Sequence, residues 1–381
     1  MGSYDRQICS KCVMDITVPN INFDSEGICN FCHLHDKLES RYPLGEKGEK
    51  RLNQLINEIK RRGKNKKYDC IIGVSGGVDS TYCAYLAKKW GLRVLAVHLD
   101  NGWNSEEAAH NIKTIADKLG FNSRIEKVDW PEFKQLQIAF LKASVPDIEI
   151  PTDIGIYATL YKVAAEKNIV SIINGHSFRQ EGTQPVYWTY MDGRYIESVY
   201  KKFTGKRLKY FNNLKMKDMF YYSVLKRIKE YRPLEYIDYD KKQAAEILKN
   251  ELGWRNYGGH HFESVYTRFV ASYILPQKFN IDKRKVSLSA KIRSMKLLRE
   301  EALEILNEPY YPIDMIEKDK DFILNRLELS EEEFNTIMKM PLRSHFDYPN
   351  YRSLIKKFRW HVKLATNIGL IPIVFYEKYV R

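Results

Sequence analysis

The sequence predicts an α/β protein: a doubly wound parallel sheet, preceded by a small cysteine-bearing module and followed by a mostly helical lobe. Three observations carry this reading. Short apolar runs alternate with helical patterns between residues 69 and 174, the rhythm of strand–helix–strand units in a parallel sheet. All six cysteines lie in the first 83 residues, four of them in two closely spaced pairs. Beyond about residue 185 the alternation stops, and the chain becomes irregularly helical, rich in Tyr, Phe and Lys.

The two pairs, Cys9-Ser10-Lys11-Cys12 and Cys29-Asn30-Phe31-Cys32, enclose 16 residues. A two-residue gap lets a tight turn aim both thiolates at one ion, and two such turns complete a tetrahedron, the pattern of a Zn²⁺ ribbon or knuckle. Iron–sulfur is the other chemistry this set permits. Four thiolates leave no open coordination position, so the site reads as structural. Residues 1–40 are thus a zinc ribbon, with His33 and His35 as surface residues. Residues 41–67 are a polar helical linker ending in Arg61-Arg62-Gly63-Lys64-Asn65-Lys66-Lys67.

The sheet domain is placed at residues 68–185. Asp69 to Val74 is a short apolar run suited to a buried parallel strand, and a helical pattern from Thr81 to Trp90 closes at Gly91. A second strand, Arg93 to Leu99, leads into Asp100-Asn101-Gly102-Trp103, and a helix from Ser105 to Leu119 ends at Gly120. A third strand, Ser123 to Val128, precedes a helix from Pro131 to Ala143. A helix from Ile154 to Lys167 leads to a fourth strand, Val170 to Asn174. Residues 186–381 form the helical lobe, expected to wrap the carboxyl edge of the sheet.

Composition narrows the function. With 44% hydrophobic residues among 381, the chain buries a sizeable core and is not wholly disordered. No run approaches the roughly 18–20 apolar residues of a membrane span. Met1 to Arg6 has no apolar signal-peptide region, so a cytoplasmic location is expected. The net charge is +14, which suits anionic partners. Much of it lies between Lys201 and Arg232, where eleven Lys or Arg face two acids among seven Phe and Tyr. That stretch reads as a solvated helix face, as an RNA contact through phosphates and stacking, or as a surface for a phosphate-bearing molecule or partner protein.

The sharpest motif is Ser75-Gly76-Gly77-Val78-Asp79-Ser80, at a strand-to-helix junction. Glycine lets backbone approach an anion, N–H groups at a helix start point at it, and Ser75 and Ser80 add hydroxyls. Asp79 beside phosphates implies a bridging Mg²⁺ ion. The lysine-bearing loop of γ-phosphate hydrolases is absent. The motif resembles the pyrophosphate loop of the N-type ATP pyrophosphatases, which split ATP into AMP and PPi. That resemblance implies that Asp100 and Asn101 border adenine and ribose, and that Gly175 and His176 flank the reaction centre. A satisfied buried histidine is the alternative for His176. Arg179 and Glu181 follow on the same loop as substrate contacts, and Asp153 is either a helix N-cap or a substrate contact.

Sulfur-inserting members of that superfamily need reactive cysteines near the loop or later in the sheet. Here nothing follows Cys83, and Cys70 and Cys83 read as core, so nitrogen transfer is expected. No cysteine stands at position 2 for a built-in glutaminase, and Cys9 belongs to the ribbon, so ammonia comes from outside.

Trp254-Arg255-Asn256-Tyr257-Gly258-Gly259-His260-His261-Phe262-Glu263-Ser264 and Leu275-Pro276-Gln277-Lys278-Phe279-Asn280-Ile281-Asp282-Lys283-Arg284, taken with the ribbon, the glycine loop and Asn174-Gly175-His176, resemble the N-acetyl sugar amidotransferase family of O-antigen and flagellar-sugar biosynthesis. A lysine is expected where His260 stands. The resemblance implies ATP-dependent replacement of the acetamido oxygen of a nucleotide-linked sugar by ammonia-derived nitrogen. It assigns Lys278, Lys283 and Arg284 to neutralising PPi or the substrate diphosphate, and His261, Glu263 and Arg268 to the sugar. It also implies a glutaminase subunit like that of histidine biosynthesis, in some members with a cyclase-like partner. The rivals are a tRNA-modifying enzyme that adenylates a base carbonyl, and a non-catalytic nucleotide-binding adaptor, which would not need Asp79.

Overall fold

The computed structural model describes residues 7–259, 262–367, 376–377 and 379–380. At the N-terminus, single antiparallel bridges close the two cysteine turns, Ile8 with Asp15 around the first and Phe23 with Cys29 before the second, and the Ser10 N–H donates to the Gly27 carbonyl at 3.0 Å between them. Helix α1 (Asn30–Arg41) springs from the second turn, and α2 (Gly45–Gly63) follows. His35 is buried in α1, against the surface position expected for it. Its ring packs edge-on against Phe178 at 5.0 Å and lies 3.3 Å from Glu39.

Five parallel strands make the sheet: β1 (Cys70–Gly73), β2 (Val94–Asp100), β3 (Asn122–Lys127), β4 (Ser171–Ile173) and β5 (Lys229–Tyr231), in the order β3-β2-β1-β4-β5. The connecting helices are α3 (Val78–Lys89), α4 (Glu106–Leu119), α5 (Trp130–Ala143) and α6 (Ile150–Glu166). Consecutive strand residues serve opposite faces. Ile72, Val94, Ala96 and Ile173 pack with Ile56 and Ile59 of α2 and Cys83 of α3. Ile71, Leu95, Val97 and Ile172 pack with Leu160, Val163 and Ala164 of α6. Both faces are apolar, as a helix-covered parallel sheet requires.

The sheet does not stop at residue 185. Its fifth strand comes from the segment assigned to the helical lobe, with Lys229, Glu230 and Tyr231 pairing with Ser171, Ile172 and Ile173. Three residues bearing two charges give almost no strand signal.

The remaining helices are α7 (Phe178–Glu181), α8 (Gly193–Thr204), α9 (Met216–Phe220), α10 (Lys241–Leu252), α11 (Val265–Phe269), α12 (Leu275–Phe279), α13 (Arg284–Arg293), α14 (Arg299–Asn307), α15 (Ile313–Leu327), α16 (Glu331–Lys339), α17 (Arg352–Lys357) and α18 (Arg359–Asn367). Between α11 and α12 the backbone stays helical but widens into a π-turn, Val270–Ile274. Pro276 lies in the turn that follows. A proline inside a helix lacks its N–H and clashes with the carbonyl four residues back, and a wider preceding turn relieves both. One apolar cluster joins Met14, Val18 and Phe31 of the ribbon region to Phe140 of α5, Tyr266 and Phe269 of α11 and Val286 of α13. Among the described residues, no helix is long and apolar enough to cross a membrane.

Candidate functional site

β1 is flanked by β2 on one side and β4 on the other, so the strand order reverses beside it and a crevice opens at the carboxyl ends. A cavity of about 380 Å³ fills that crevice. It is lined by Ser75, Gly77, Asp79 and Ser80 of the glycine loop, Asn101 after β2, Asp153 of α6, and Gly175, His176 and Glu181 after β4. Glu149, Glu263, Ser264, Lys283, Ser287 and Tyr310 complete the lining, with Glu263 close against Gly77.

The loop is held tightly. Gly76 has φ +80°, and a Cβ there would sit 2.5 Å from the Ala108 carbonyl oxygen, so only glycine fits. The Gly76 carbonyl accepts from Asn111 Nδ2 and Trp254 Nε1, both at 3.0 Å. The Val78 N–H donates to the Tyr257 hydroxyl at 3.0 Å. Ser80 Oγ accepts from the Ser75 N–H at 3.2 Å and donates to the Gly77 carbonyl at 3.1 Å. On the opposite wall, a Cβ on Gly175 would lie 3.0 Å from the Asp79 carbonyl.

Asp79, the expected magnesium ligand, already has protein partners. One carboxylate oxygen accepts from the Tyr239 hydroxyl at 2.5 Å and the other pairs with Lys241 Nζ at 2.7 Å. Burial works against the Lys241 ammonium, but the Asp79 carboxylate outweighs it and the pKa rises. Each oxygen already has one partner, so an Mg²⁺ ion at Asp79 would share the carboxylate with Tyr239 and Lys241 or compete with them for it.

His176 pairs with Glu181 through Nδ1. The charge of Glu181 lifts the imidazole pKa to about 9 on a ring that is 45% exposed, so near neutrality the pair is imidazolium and carboxylate and the ring is not a buried core histidine. His98, also in the wall, is the opposite case. Burial lowers its pKa; its Nδ1–H donates to the Val74 carbonyl at 2.8 Å, which leaves Nε2 to accept from Asn104 Nδ2 at 2.9 Å. Asn104 also bridges to Ser264, stitching the loop after β2 to the segment before α11.

Several anticipated residues lie elsewhere. Arg179 is 3% exposed and spends its guanidinium on Glu39 and on the carbonyls of Tyr42 and Glu235. Arg268 forms a two-pronged pair with Asp319, both contacts at 2.6 Å. Lys278 donates to the carbonyls of Ile337, Met338 and Met340 at the end of α16. Arg284 grips Asp282 and the carbonyls of Ile305 and Glu308 around the end of α14. These cations satisfy carboxylates or helix C-termini, where positive charge is favoured, and none lines the cavity. Asp100 is half-buried, accepts from the Gly102 N–H at 3.0 Å within its own turn, and is not among the residues lining the cavity. Asp153 lies inside the first turn of α6, behind Glu149, so it is not the N-cap. Lys283 does line the cavity, 3.3 Å from Glu149. His261 falls outside the described residues.

The sequence reading missed Lys241, Tyr239, Asn111 and Glu149. Tyr239 and Lys241 reach Asp79 across 160 residues or more, a distance over which no local pattern acts. Tyr257 and Trp254 belong to a segment flagged by resemblance, and their bonds to the glycine loop explain its placement.

The four ribbon cysteines fit a metal. All are fully buried, and their sulfurs lie within 4.8 Å of one another. Cys9–Cys32 and Cys12–Cys29 are 3.8 Å apart and Cys29–Cys32 3.6 Å, against an edge of about 3.8 Å for a tetrahedron with Zn–S near 2.3 Å. Cys70 and Cys83 are also buried, and burial pushes both thiols well above their ordinary range.

Comparison with known proteins divides along the same line. Residues 263–363 match the family model described as LPS biosynthesis protein WbpG-like, C-terminal domain. Residues 69–160 match the one described as Queuosine biosynthesis protein QueC. The 7-cyano-7-deazaguanine synthase of Aliarcobacter butzleri is 32% identical over 115 residues, 27% of this chain and 49% of that one. The tRNA(Ile)-lysidine synthase of Thermus thermophilus is 29% identical over 109 residues, 28% of this chain and 20% of that one. The chain thus spans from a fifth to a half of the length of these relatives. Among solved structures, an NMN synthetase from Francisella tularensis aligns with 78% of this chain and 98% of its own at TM-score 0.31 and 15% identity, too slight a likeness to argue from.

Proposed function

We propose that this chain, which joins a QueC-like nucleotide half to a WbpG-like C-terminal region, is the ATP-dependent synthetase subunit of an amidotransferase acting on a nucleotide-linked N-acetyl sugar for surface polysaccharide or flagellar glycan. One observation carries the reading: a cavity floored by the Ser75–Ser80 loop is also lined by Glu263, Ser264, Thr267, Lys283 and Ser287. ATP machinery and acceptor wall thus come from the two regions that the comparisons separate. The match to a lipopolysaccharide-biosynthesis family supports a sugar as acceptor.

An amide is a poor electrophile, so its oxygen must first become a leaving group. The acetamido oxygen attacks the α-phosphorus of ATP, the α–β phosphoanhydride bond breaks, and PPi departs. Ammonia adds to the imidate carbon, the C–O bond to AMP breaks, and C=O has become C=NH with the oxygen carried off on AMP. Loop N–H groups with Ser75 and Ser80 receive the pyrophosphate. Lys241, poised on Asp79, supplies the positive charge a loop without its own lysine lacks. The His176–Glu181 pair faces the reacting carbon and exchanges the proton of the incoming nitrogen. Asn101 and Asp153 border the nucleoside, and Glu263 and Lys283 the acceptor. Zinc at Cys9, Cys12, Cys29 and Cys32 is structural. The four ribbon thiols and the two buried core thiols leave no cysteine to release ammonia from glutamine, which supports a separate cysteine-dependent glutaminase.

The test is PPi release from Mg·ATP with ammonium chloride, comparing UDP- and CMP-linked N-acetyl sugars, bulk tRNA and no acceptor. Sugar-dependent PPi and a product about one dalton lighter, as oxygen gives way to NH, are expected. PPi dependent on tRNA alone would overturn the sugar reading in favour of base modification, the chemistry of the matched tRNA enzyme. ATP binding without PPi under any condition would leave a nucleotide-binding adaptor.

A further inference from the structure

Helix α13 touches both the cysteine cluster and the cavity, with different faces. At about 100° per residue, Lys285, Ser289 and Arg293 form one stripe. Lys283, Ser287 and Lys291, offset by two residues, form another on roughly the opposite side. The first stripe is wholly engaged with the ribbon. Lys285 pairs with Asp15 at 2.6 Å, and Ser289 Oγ accepts from the Val13 N–H at 3.3 Å. Arg293, 9% exposed, directs Nε at Cys32 Sγ and Nη2 at Cys12 Sγ, both at 3.1 Å. Just beyond the helix, Arg299 donates to the carbonyls of Cys9 and Cys12 at 3.2 Å. On the second stripe, Lys283 and Ser287 line the cavity, and Lys291 lies within electrostatic reach of Lys241 and Asp79.

A buried guanidinium is costly unless it is paired. Among the described residues Arg293 finds its hydrogen-bond partners where the four sulfurs converge, and an ion would hold them there: four thiolates and one Zn²⁺ would carry a net −2, which a single buried cation partly offsets. A ribbon of this size with no metal is expected to lose its fold, and with it each anchor of the first stripe. A helix is a rigid rod, so displacement of one stripe moves the other.

We infer that the metal-bound ribbon sets the position of α13 through Arg293, and that metal occupancy thereby governs the cavity wall formed by Lys283 and Ser287. Arg293 is a positioning residue, about two helical turns from the cavity, and the ribbon is a clamp on the site as well as a brace for the N-terminus. The affinity readout rests on the cavity being the nucleotide site; the exchange readout does not.

Full-length protein carrying Arg293→Gln or Arg293→Lys is compared with wild type for zinc content, hydrogen–deuterium exchange over residues 283–291, and ATP affinity by calorimetry. Arg293→Gln is expected to keep one zinc per chain, to exchange faster across 283–291, and to bind ATP at least tenfold more weakly. Arg293→Lys should recover part of both. Zinc retained with exchange unchanged and affinity within twofold would overturn the inference. Where Arg293→Gln loses zinc or precipitates, the double variant Lys285→Ala/Ser289→Ala decides by the same two readouts, since it leaves Arg293 and the cysteines in place. Wild type that binds no ATP would sink the nucleotide reading alone.

Discussion

Gly76 and Gly77 are neighbours with different reasons for being glycine, and the difference has a measurable size. An alanine at 76 takes a left-handed backbone at φ +80° and puts its methyl 2.5 Å from the Ala108 carbonyl oxygen and 3.0 Å from its Cα. The conformation costs about 1–2 kcal/mol. Overlap with helix backbone, which cannot swing aside, adds about 1–3 kcal/mol. The loop can relieve both only by moving, and moving loosens the bonds from Asn111 and Trp254 to the Gly76 carbonyl, worth about 1 kcal/mol each. An alanine at 77 has φ −71° and meets Glu263 Oε1 and Ser75 Oγ at 3.0 Å; side-chain tips can retreat, at about 1 kcal/mol or less. If at least 3 kcal/mol of the first sum is lost from nucleotide binding, Gly76→Ala weakens it more than about 100-fold, and Gly77→Ala less than about tenfold. Calorimetric titration with an ATP analogue blocked at the α–β bridge reads the affinities, with circular dichroism to verify folding. Equal losses, or a larger one at Gly77, would refute the packing argument.

Truncating Lys241 leaves Asp79 with the Tyr239 hydroxyl alone. Raw attraction at 2.7 Å is about 6 kcal/mol for an effective dielectric near 20, most of it offset by desolvation. A double-mutant cycle of Lys241→Met with Asp79→Asn should show coupling of about 1–3 kcal/mol in nucleotide affinity, and additivity would mean the pair is incidental. The His176 pKa is raised to about 9, so the His176–Glu181 pair stabilises the fold fully below the ordinary histidine pKa, and the contribution is lost as pH rises through about 9. NMR titration of the ring should show this, and in Glu181→Gln the midpoint should fall back toward the ordinary range. Replacing any one ribbon cysteine with serine should lower zinc content and expose the N-terminal region to protease; full retention of the ion in all four variants would rule out the tetrathiolate. Lys278→Met and Arg268→Gln should lower thermal stability, by about 1–3 kcal/mol each, with KM for ATP unchanged; a KM effect without a stability effect would return them to the site.

What was legible in the sequence is what is local. The glycine loop announced itself because its chemistry is carried by consecutive backbone atoms, and the cysteine pairs because a two-residue gap sets ligand geometry. Strand–helix alternation placed β1 to β4 and α3 to α6 to within a few residues: β1, β2 and β4 are short buried runs, and the polar edge strand β3 was placed by the helices on either side of it. The cations Arg179, Arg268, Lys278 and Arg284 lie off the cavity for one physical reason. A positive side chain near a predicted anion site looks the same in sequence whether it faces a phosphate, a carboxylate or the open carbonyls of a helix end, and only the fold tells which. Lys241 was invisible for the converse reason: nothing near residue 241 marks a lysine that reaches the helix start at Asp79.

The late arrival of β5 has a practical meaning. Without Lys229–Tyr231 the outer side of β4, a serine and two isoleucines that are almost fully buried, becomes an open row of backbone donors and acceptors. The other margin of the sheet is safe alone, because β3 carries Arg124, Glu126 and Lys127, the kind of charged rim that discourages pairing between molecules. Cutting the chain at the apparent end of the sheet, near residue 185, would therefore yield a nucleotide domain that aggregates through one edge. A cut placed after residue 231 would keep that edge capped.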